Sequence, residues 1–198
     1  MSPAARPEKV GLLFGSFNPI HIGHLILAQH MVTHTDLSAV WFVVSPQSPY
    51  KVGQELLPEQ VRLDLLRAAI ADNDQLAVTD LEFHLPKPSY TITALDEVRC
   101  QHPSCEFVLL MGSDNLQGLE GWKDAARIRQ EFAIYVYPRP GYPVAKILPN
   151  SCVRIVEAPL LDISATFIRE SVRVGKSIRY LVPDVVEQEI VAKKYWLQ

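Results

Sequence analysis

The residues best suited to chemistry lie in the run GSFNPIHIGHL, Gly15 to Leu25. His21 and His24 stand three apart where an amphipathic stretch begins, so both can face one side of a helix start. The free N–H groups and positive dipole end of such a helix favour an anion. Two imidazoles beside it can each donate an N–H to phosphate oxygens and gain proton affinity in return. Gly15 lets backbone approach a ligand closely, and Pro19 stiffens the turn. Metal ligation is the competing use of HxxH, and His30 and His34, four apart, would extend it. No Asp, Glu or Cys is suitably spaced before Asp36, so no metal site is expected there, and His30 and His34 are expected to face solvent. The GxxxxGK[ST] phosphate loop is absent.

A second constellation is ISATFIR, Ile163 to Arg169. Ser164 and Thr166 offer hydroxyls and backbone N–H groups at a helix start, and Arg169 can reach the same place, which suits a triphosphate tail. Ser164 as a plain helix cap uses the same atoms. Gly112 and Asp114 follow an apolar run. A carboxylate there can accept from ribose hydroxyls, hold an ion or cap a helix. Lys51, Arg62 and Arg139 are basic residues in or near loops. Lys51 and Arg139 are read as ligand contacts and Arg62 as a loop organiser. Trp41 and Trp196 read as core or edge residues.

These residues must be positioned by something. Short apolar runs at Val10–Phe14, Val40–Val44, Leu76–Thr79, Phe107–Met111, Phe132–Val136 and Val153–Val156 predict strands. They alternate with amphipathic stretches at Ile22–Thr35, Pro58–Asp72, Tyr90–Arg99, Trp122–Gln130, Ala165–Val174 and Asp184–Lys194, which predict helices. Continuous apolar strands alternating with helices predict an α/β fold, a doubly wound parallel sheet. Ligands in such folds bind beyond the carboxyl ends of the strands, so the loops after Phe14, Val44, Met111 and Val156 should carry the chemistry.

The 198 residues are read as a single domain, 1–198, with residues 1–8 as a disordered lead-in and 164–198 as a C-terminal helical part. Apolar residues are 48%, enough for a core, and charged residues only 21%, which argues against disorder. The net charge of −3, with no basic stripe, argues against nucleic acid as a partner. No apolar run of about 18 residues suggests a membrane span, and no signal peptide is evident. Cys100, Cys105 and Cys152 cannot all pair in one chain and read as reduced thiols of a cytoplasmic protein. Monomer and homo-oligomer both remain open.

GSFNPIHIGHL is similar to the (H/T)xGH signature of the nucleotidyltransferase superfamily. With PSYT (Pro88–Thr91), GSD (Gly112–Asp114), GW (Gly121–Trp122), RPGYP (Arg139–Pro143) and ISATFIR, nearly the whole chain resembles the bacterial nicotinate-nucleotide adenylyltransferases. The resemblance implies a Rossmann-like nucleotidyltransferase fold. It implies transfer of an adenylyl group from ATP, with Mg²⁺, to nicotinate mononucleotide, giving deamido-NAD and pyrophosphate. His21, His24, Lys51 and Arg169 would carry the catalysis. Gly15, Ser16, Phe17, His21, His24, Gly112, Asp114, Ser164, Thr166 and Arg169 would bind ATP. Asn18, Lys51, Ser89, Tyr90, Thr91, Trp122 and Arg139 would bind nicotinate mononucleotide. Trp122 would stack on the pyridinium ring, and backbone N–H groups at Ser89–Thr91 would receive its carboxylate. Two departures stand out. Asn18 replaces the Asp of many members, keeping the shape but losing the charge. Ser48-Pro49-Tyr50-Lys51 retains only the basic end of a proline-proline-histidine-basic segment. Alternatives are an adenylyltransferase for nicotinamide mononucleotide or phosphopantetheine, or a nucleotide sensor without chemistry.

Overall fold

A computed structural model describes residues 8–46, 56–144, 152–159 and 161–197. Its centre is a parallel sheet of six strands: β1 (Glu8–Gly15), β2 (Ala39–Val44), β3 (Leu76–Thr79), β4 (Cys105–Gly112), β5 (Ala133–Tyr137) and β6 (Val153–Ile155). Their order is β3-β2-β1-β4-β5-β6, every neighbouring pair parallel. The order reverses between β1 and β4, so a crevice opens beyond their carboxyl ends, after Gly15 and Gly112.

Alternating side chains along the strands feed two core halves, as a twofold repeat requires. Leu13, Phe42, Val44, Val108 and Leu110 face one half, with α1 (Ile22–His34), α2 (Glu59–Ala69), α6 (Ala165–Arg173) and α7 (Asp184–Ala192) packed over them. Val10, Leu12, Leu109, Met111 and Val136 face the other, covered by α3 (Thr91–Gln101) and α5 (Ala125–Glu131). A short α4 (Ser113–Gly118) leaves β4 directly. The predicted doubly wound α/β sheet is the one observed.

Several boundaries move. β1 begins at Glu8, which pairs with Cys105, so the expected lead-in ends at residue 7; residues 1–7 lie outside the described residues. The helix expected from Trp122 begins only at Ala125, after Asp124 takes a left-handed conformation. Trp122 instead follows a tight turn over Leu119–Gly121. α4 has no counterpart in the sequence reading, because six residues with a single apolar side chain, Leu116, give no helical period. No helix among the described residues is long and apolar enough to cross a membrane.

Candidate active site

The loop from Ser16 to His21 leaves β1 and turns back across the sheet end. Phe17 takes a positive φ of 43° and lays its ring over Gly15. A Cβ at Gly15 would meet that ring at 2.8 Å, so only glycine leaves it room. The Phe17 ring is buried, edge-on to His24 (centroids 5.2 Å) and to Phe42 (5.4 Å). Its side chain thus supports His24 from below, and only its backbone faces outward chemistry.

His21 is the N-cap residue of α1, but its side chain makes no capping hydrogen bond. Its ring stacks on that of His24, centroids 3.6 Å apart and 26° from parallel. The expected sharing of one side by the two imidazoles is therefore observed. His21 is 6% exposed, and its Nδ1 is buried without a hydrogen-bond partner. Burial, helped by the charge of Arg139, pushes the His21 imidazole down to about 4, so it is neutral at pH 7. Gly23 lies between the histidines, and a Cβ there would come within 3.1 Å of His21 Nδ1.

The ISATFIR segment meets this loop. Ser164 caps α6, its Oγ accepting from the Phe167 N–H at 3.1 Å. Arg169 donates through Nη1 to the Asn18 carbonyl (2.9 Å) and through Nη2 to Thr166 Oγ1 (3.1 Å). The first turns of α6 thus come to the β1 loop, across 151 residues of sequence. Asn18 is buried and uses Oδ1 to accept the Leu57 N–H at 3.1 Å. An amide oxygen accepts that bond as a carboxylate oxygen would, so this contact needs no charge. The same bond commits this side chain to the loop after β2.

Arg62, 1% exposed, organises both loops as the sequence reading expected. Its guanidinium donates to the carbonyls of Ser16 (2.5 Å), Ser45 (2.8 Å), Pro46 (2.8 Å) and Leu57 (3.0 Å). Lys51 lies outside the described residues.

Across the crevice, Gly112 ends β4 and Asp114 sits in the first turn of α4. Gly112, not Asp114, occupies the N-cap position. Asp114 Oδ1 stands 3.5 Å from Arg139 Nε. A Cβ at Gly112 would strike both, at 2.3 and 2.8 Å. Ser113 Oγ accepts the Arg139 N–H at 2.8 Å. Arg139 therefore stands on the β4–β5 side, with Asp114 and Tyr137 as its partners.

The third group gathers at the start of α3. Tyr90 is its N-cap residue, with a partly exposed ring under Lys123 Nζ, 4.6 Å from the centroid. That contact places the Trp122–Lys123 segment beside the Ser89–Thr91 segment. Trp122 itself is half-buried against the second core half. Ser89 does not cap α3: it is buried, with its hydroxyl beside the Glu82 carboxyl. The sequence reading missed Glu82, whose only signal is an acid between Leu81 and Phe83. His30 and His34, expected to face solvent, stack on each other at 4.0 Å, His30 half-buried and His34 exposed. Among the described residues no group of three or more His, Cys, Asp or Glu could hold a metal ion.

A parallel sheet with stacked histidines at its switch point, and an arginine from a C-terminal helix over the same loop, defines an α/β nucleotidyltransferase. The family model described as cytidylyltransferase-like matches residues 12–171. A probable nicotinate-nucleotide adenylyltransferase from Cytophaga hutchinsonii is 50% identical over 95% of this chain and 98% of its own. One from Bacteroides fragilis is 44% identical over 92% and 91%. The chain belongs to the nicotinate-nucleotide adenylyltransferases, within the cytidylyltransferase-like family. The same fold occurs in Plasmodium falciparum nicotinic acid mononucleotide adenylyltransferase complexed with NaAD (TM-score 0.79, 18% identity, 96% and 97% of the two chains).

Proposed function

We propose that this chain transfers the adenylyl group of ATP, bound as its Mg²⁺ complex, to nicotinate mononucleotide, releasing pyrophosphate and forming deamido-NAD. The observation that carries this reading is the Arg169–Asn18 bond, which sets the ISATFIR helix start against the stacked His21–His24 pair. Relatives at 44–50% identity along nearly the whole chain, named for this activity, supply the acceptor.

An oxygen of the acceptor's phosphate attacks the α-phosphorus of ATP. The new P–O bond forms as the bond to pyrophosphate breaks. That oxygen is already anionic near neutral pH, so no general base is required. The chain's work is alignment of two phosphates and stabilisation of charge on the α-phosphate and pyrophosphate. His24 and Arg169, with Lys51, supply positive or N–H donor groups there. His21, neutral before ATP arrives, donates an N–H and gains proton affinity as the triphosphate enters. Ser164, Thr166 and the first turn of α6 take the phosphate tail, with Gly15, Ser16 and the Phe17 backbone beside it. Gly112 and Asp114 take the adenosine half, and Arg139 orders Asp114. On the acceptor side, Trp122 stacks on the pyridine ring. The N–H groups at Ser89–Thr91 receive the carboxylate, with Lys123 over Tyr90 adding positive charge. Asn18 acts through the loop it holds.

Pyrophosphate release with ATP and Mg²⁺ tests the reading, comparing nicotinate mononucleotide, nicotinamide mononucleotide and phosphopantetheine. A strong preference for the nicotinate form is expected. Equal use of the amide would refute the carboxylate subsite, and ATP binding without turnover on any acceptor would refute the chemistry.

A further inference from the structure

Glu82 is a buried carboxylate with no part in the chemistry above. It is 3% exposed, in the tight turn Leu81–His84 that follows β3. Its neighbours hold it there. Leu81 and Leu85 pack into the core half under α3, whereas Phe83 packs into the opposite half. The turn is thereby pinned at the seam between the two, and the side chain between them has no path to water. Burial pushes the Glu82 carboxyl up, and the hydroxyls of Ser45 and Ser89, hydrogen-bonded to it, pull it back. A buried acid without partners is costly, so one kept in the core and paired to two hydroxyls has a structural consequence.

The two hydroxyls belong to different loops. Ser45 is the first residue after β2. Its N–H donates to the Gly15 carbonyl at 2.9 Å, and its own carbonyl accepts from Arg62 at 2.8 Å. Ser89 precedes Tyr90, whose carbonyl starts α3 by accepting from the N–H groups of Thr93 (2.9 Å) and Ala94 (3.2 Å). The turn that carries Glu82 packs against both β2 and α3, so its carboxyl lies between Ser45, which is tied to Gly15, and Ser89 at the start of α3. Arg62 ties the same Ser45 to Ser16.

We infer that Glu82 is a positioning residue, which fixes the start of α3 against the β1 and β2 loops and so sets the acceptor end of the site relative to the phosphate end. This rests on the assignment of Ser89–Thr91 to the acceptor. Glu82 touches no substrate. It acts through Ser89, and its loss frees the Ser89–Thr91 segment while leaving the His21, His24 and Arg169 cluster in place. A glutamine retains one acceptor oxygen and one donor, and either serine hydroxyl can turn to meet it.

The test compares the full chain with its Glu82→Ala, Glu82→Gln and Ser89→Ala variants in two ways. Steady-state kinetics should show the KM for nicotinate mononucleotide rising about tenfold in Glu82→Ala, as for a lost hydrogen bond to a charged group. The KM for ATP should stay within about twofold, and Glu82→Gln should recover most of the loss. Amide hydrogen exchange, which needs no turnover, should quicken at Thr93 and Ala94 in Glu82→Ala and Ser89→Ala but not along β1 or β4. Unchanged exchange at those amides overturns the inference, and so does an equal rise in both KM values. Should Glu82→Ala not fold, Ser89→Ala carries both measurements. Failure of the parent enzyme to use nicotinate mononucleotide, with the exchange effect present, refutes the acceptor assignment instead and leaves Glu82 as the tie between the loops.

Discussion

Removal of the Arg62 guanidinium should unravel the loops before it touches the sheet. Arg62 is fully buried, and four backbone carbonyls, those of Ser16, Ser45, Pro46 and Leu57, depend on it. Burial lowers its pKa, with Glu59 opposing, but a guanidinium stays charged at any working pH. Arg62→Met keeps much of the packing volume and removes all four donors. At roughly 1 kcal/mol for each carbonyl left unpaired, the loss is about 4 kcal/mol. For a chain of this size that is a fall in Tm of about 8–16 °C. Arg62→Lys keeps the charge, but a single ammonium cannot reach four carbonyls spread around a planar fork, so about half of the loss should remain. Urea unfolding followed by circular dichroism gives the numbers, the midpoint falling with the slope unchanged. Below the transition, both variants should turn over more slowly, because Ser16 and Asn18 are no longer held under the histidines. An Arg62→Met variant that loses less than about 1 kcal/mol would refute the reasoning. So would an Arg62→Lys variant as stable as the parent.

Three further outcomes are expected. His24→Ala should lower kcat by roughly 10²–10³-fold with little change in either KM, as when one transition-state donor is lost; an unchanged turnover removes His24 from the mechanism. His21 titrates at about 4 in the folded chain and at 6.5 ordinarily. Between those values the unfolded chain binds a proton that the folded chain does not, so stability falls as pH drops from about 6.5 to 4, by about 3 kcal/mol, and is level above. His21→Gln should flatten that slope, and parallel pH profiles of the two proteins would contradict the burial argument. Gly23→Ala should separate fold from function. The methyl lies against His21 Nδ1 at 3.1 Å and must displace the ring, whereas alanine in a helix is favoured by up to about 1 kcal/mol. Turnover should fall while Tm holds or rises, and full activity would mean that the stacking of His21 on His24 is dispensable.

The sequence alone determined the layers. Six apolar runs alternating with amphipathic stretches admit few arrangements besides a parallel sheet covered on both faces, because each run must bury two faces. The HxGH spacing and the Ser164 cap were legible for a similar reason: three residues along a helix, or one residue before it, fix geometry locally. Contacts made over long separations were not legible. That Arg169 reaches the Asn18 carbonyl depends on α6 returning across the end of β1, which no local pattern encodes. In sequence Asn18 is only a lost charge; in the fold its side-chain oxygen accepts the Leu57 N–H, 39 residues away. Nor could the pairing of Arg139 with Asp114, or of Lys123 with the Tyr90 ring, be read from motifs that lie far apart in the chain. Glu82 shows the limit most clearly. One acid between apolar residues signals nothing in a sequence, and its significance comes from two serines on different loops that only the packed sheet brings to it. Local periodicity decides which elements form. Which polar groups must find each other is decided when those elements close and exclude water, since only then does an unpaired group become costly.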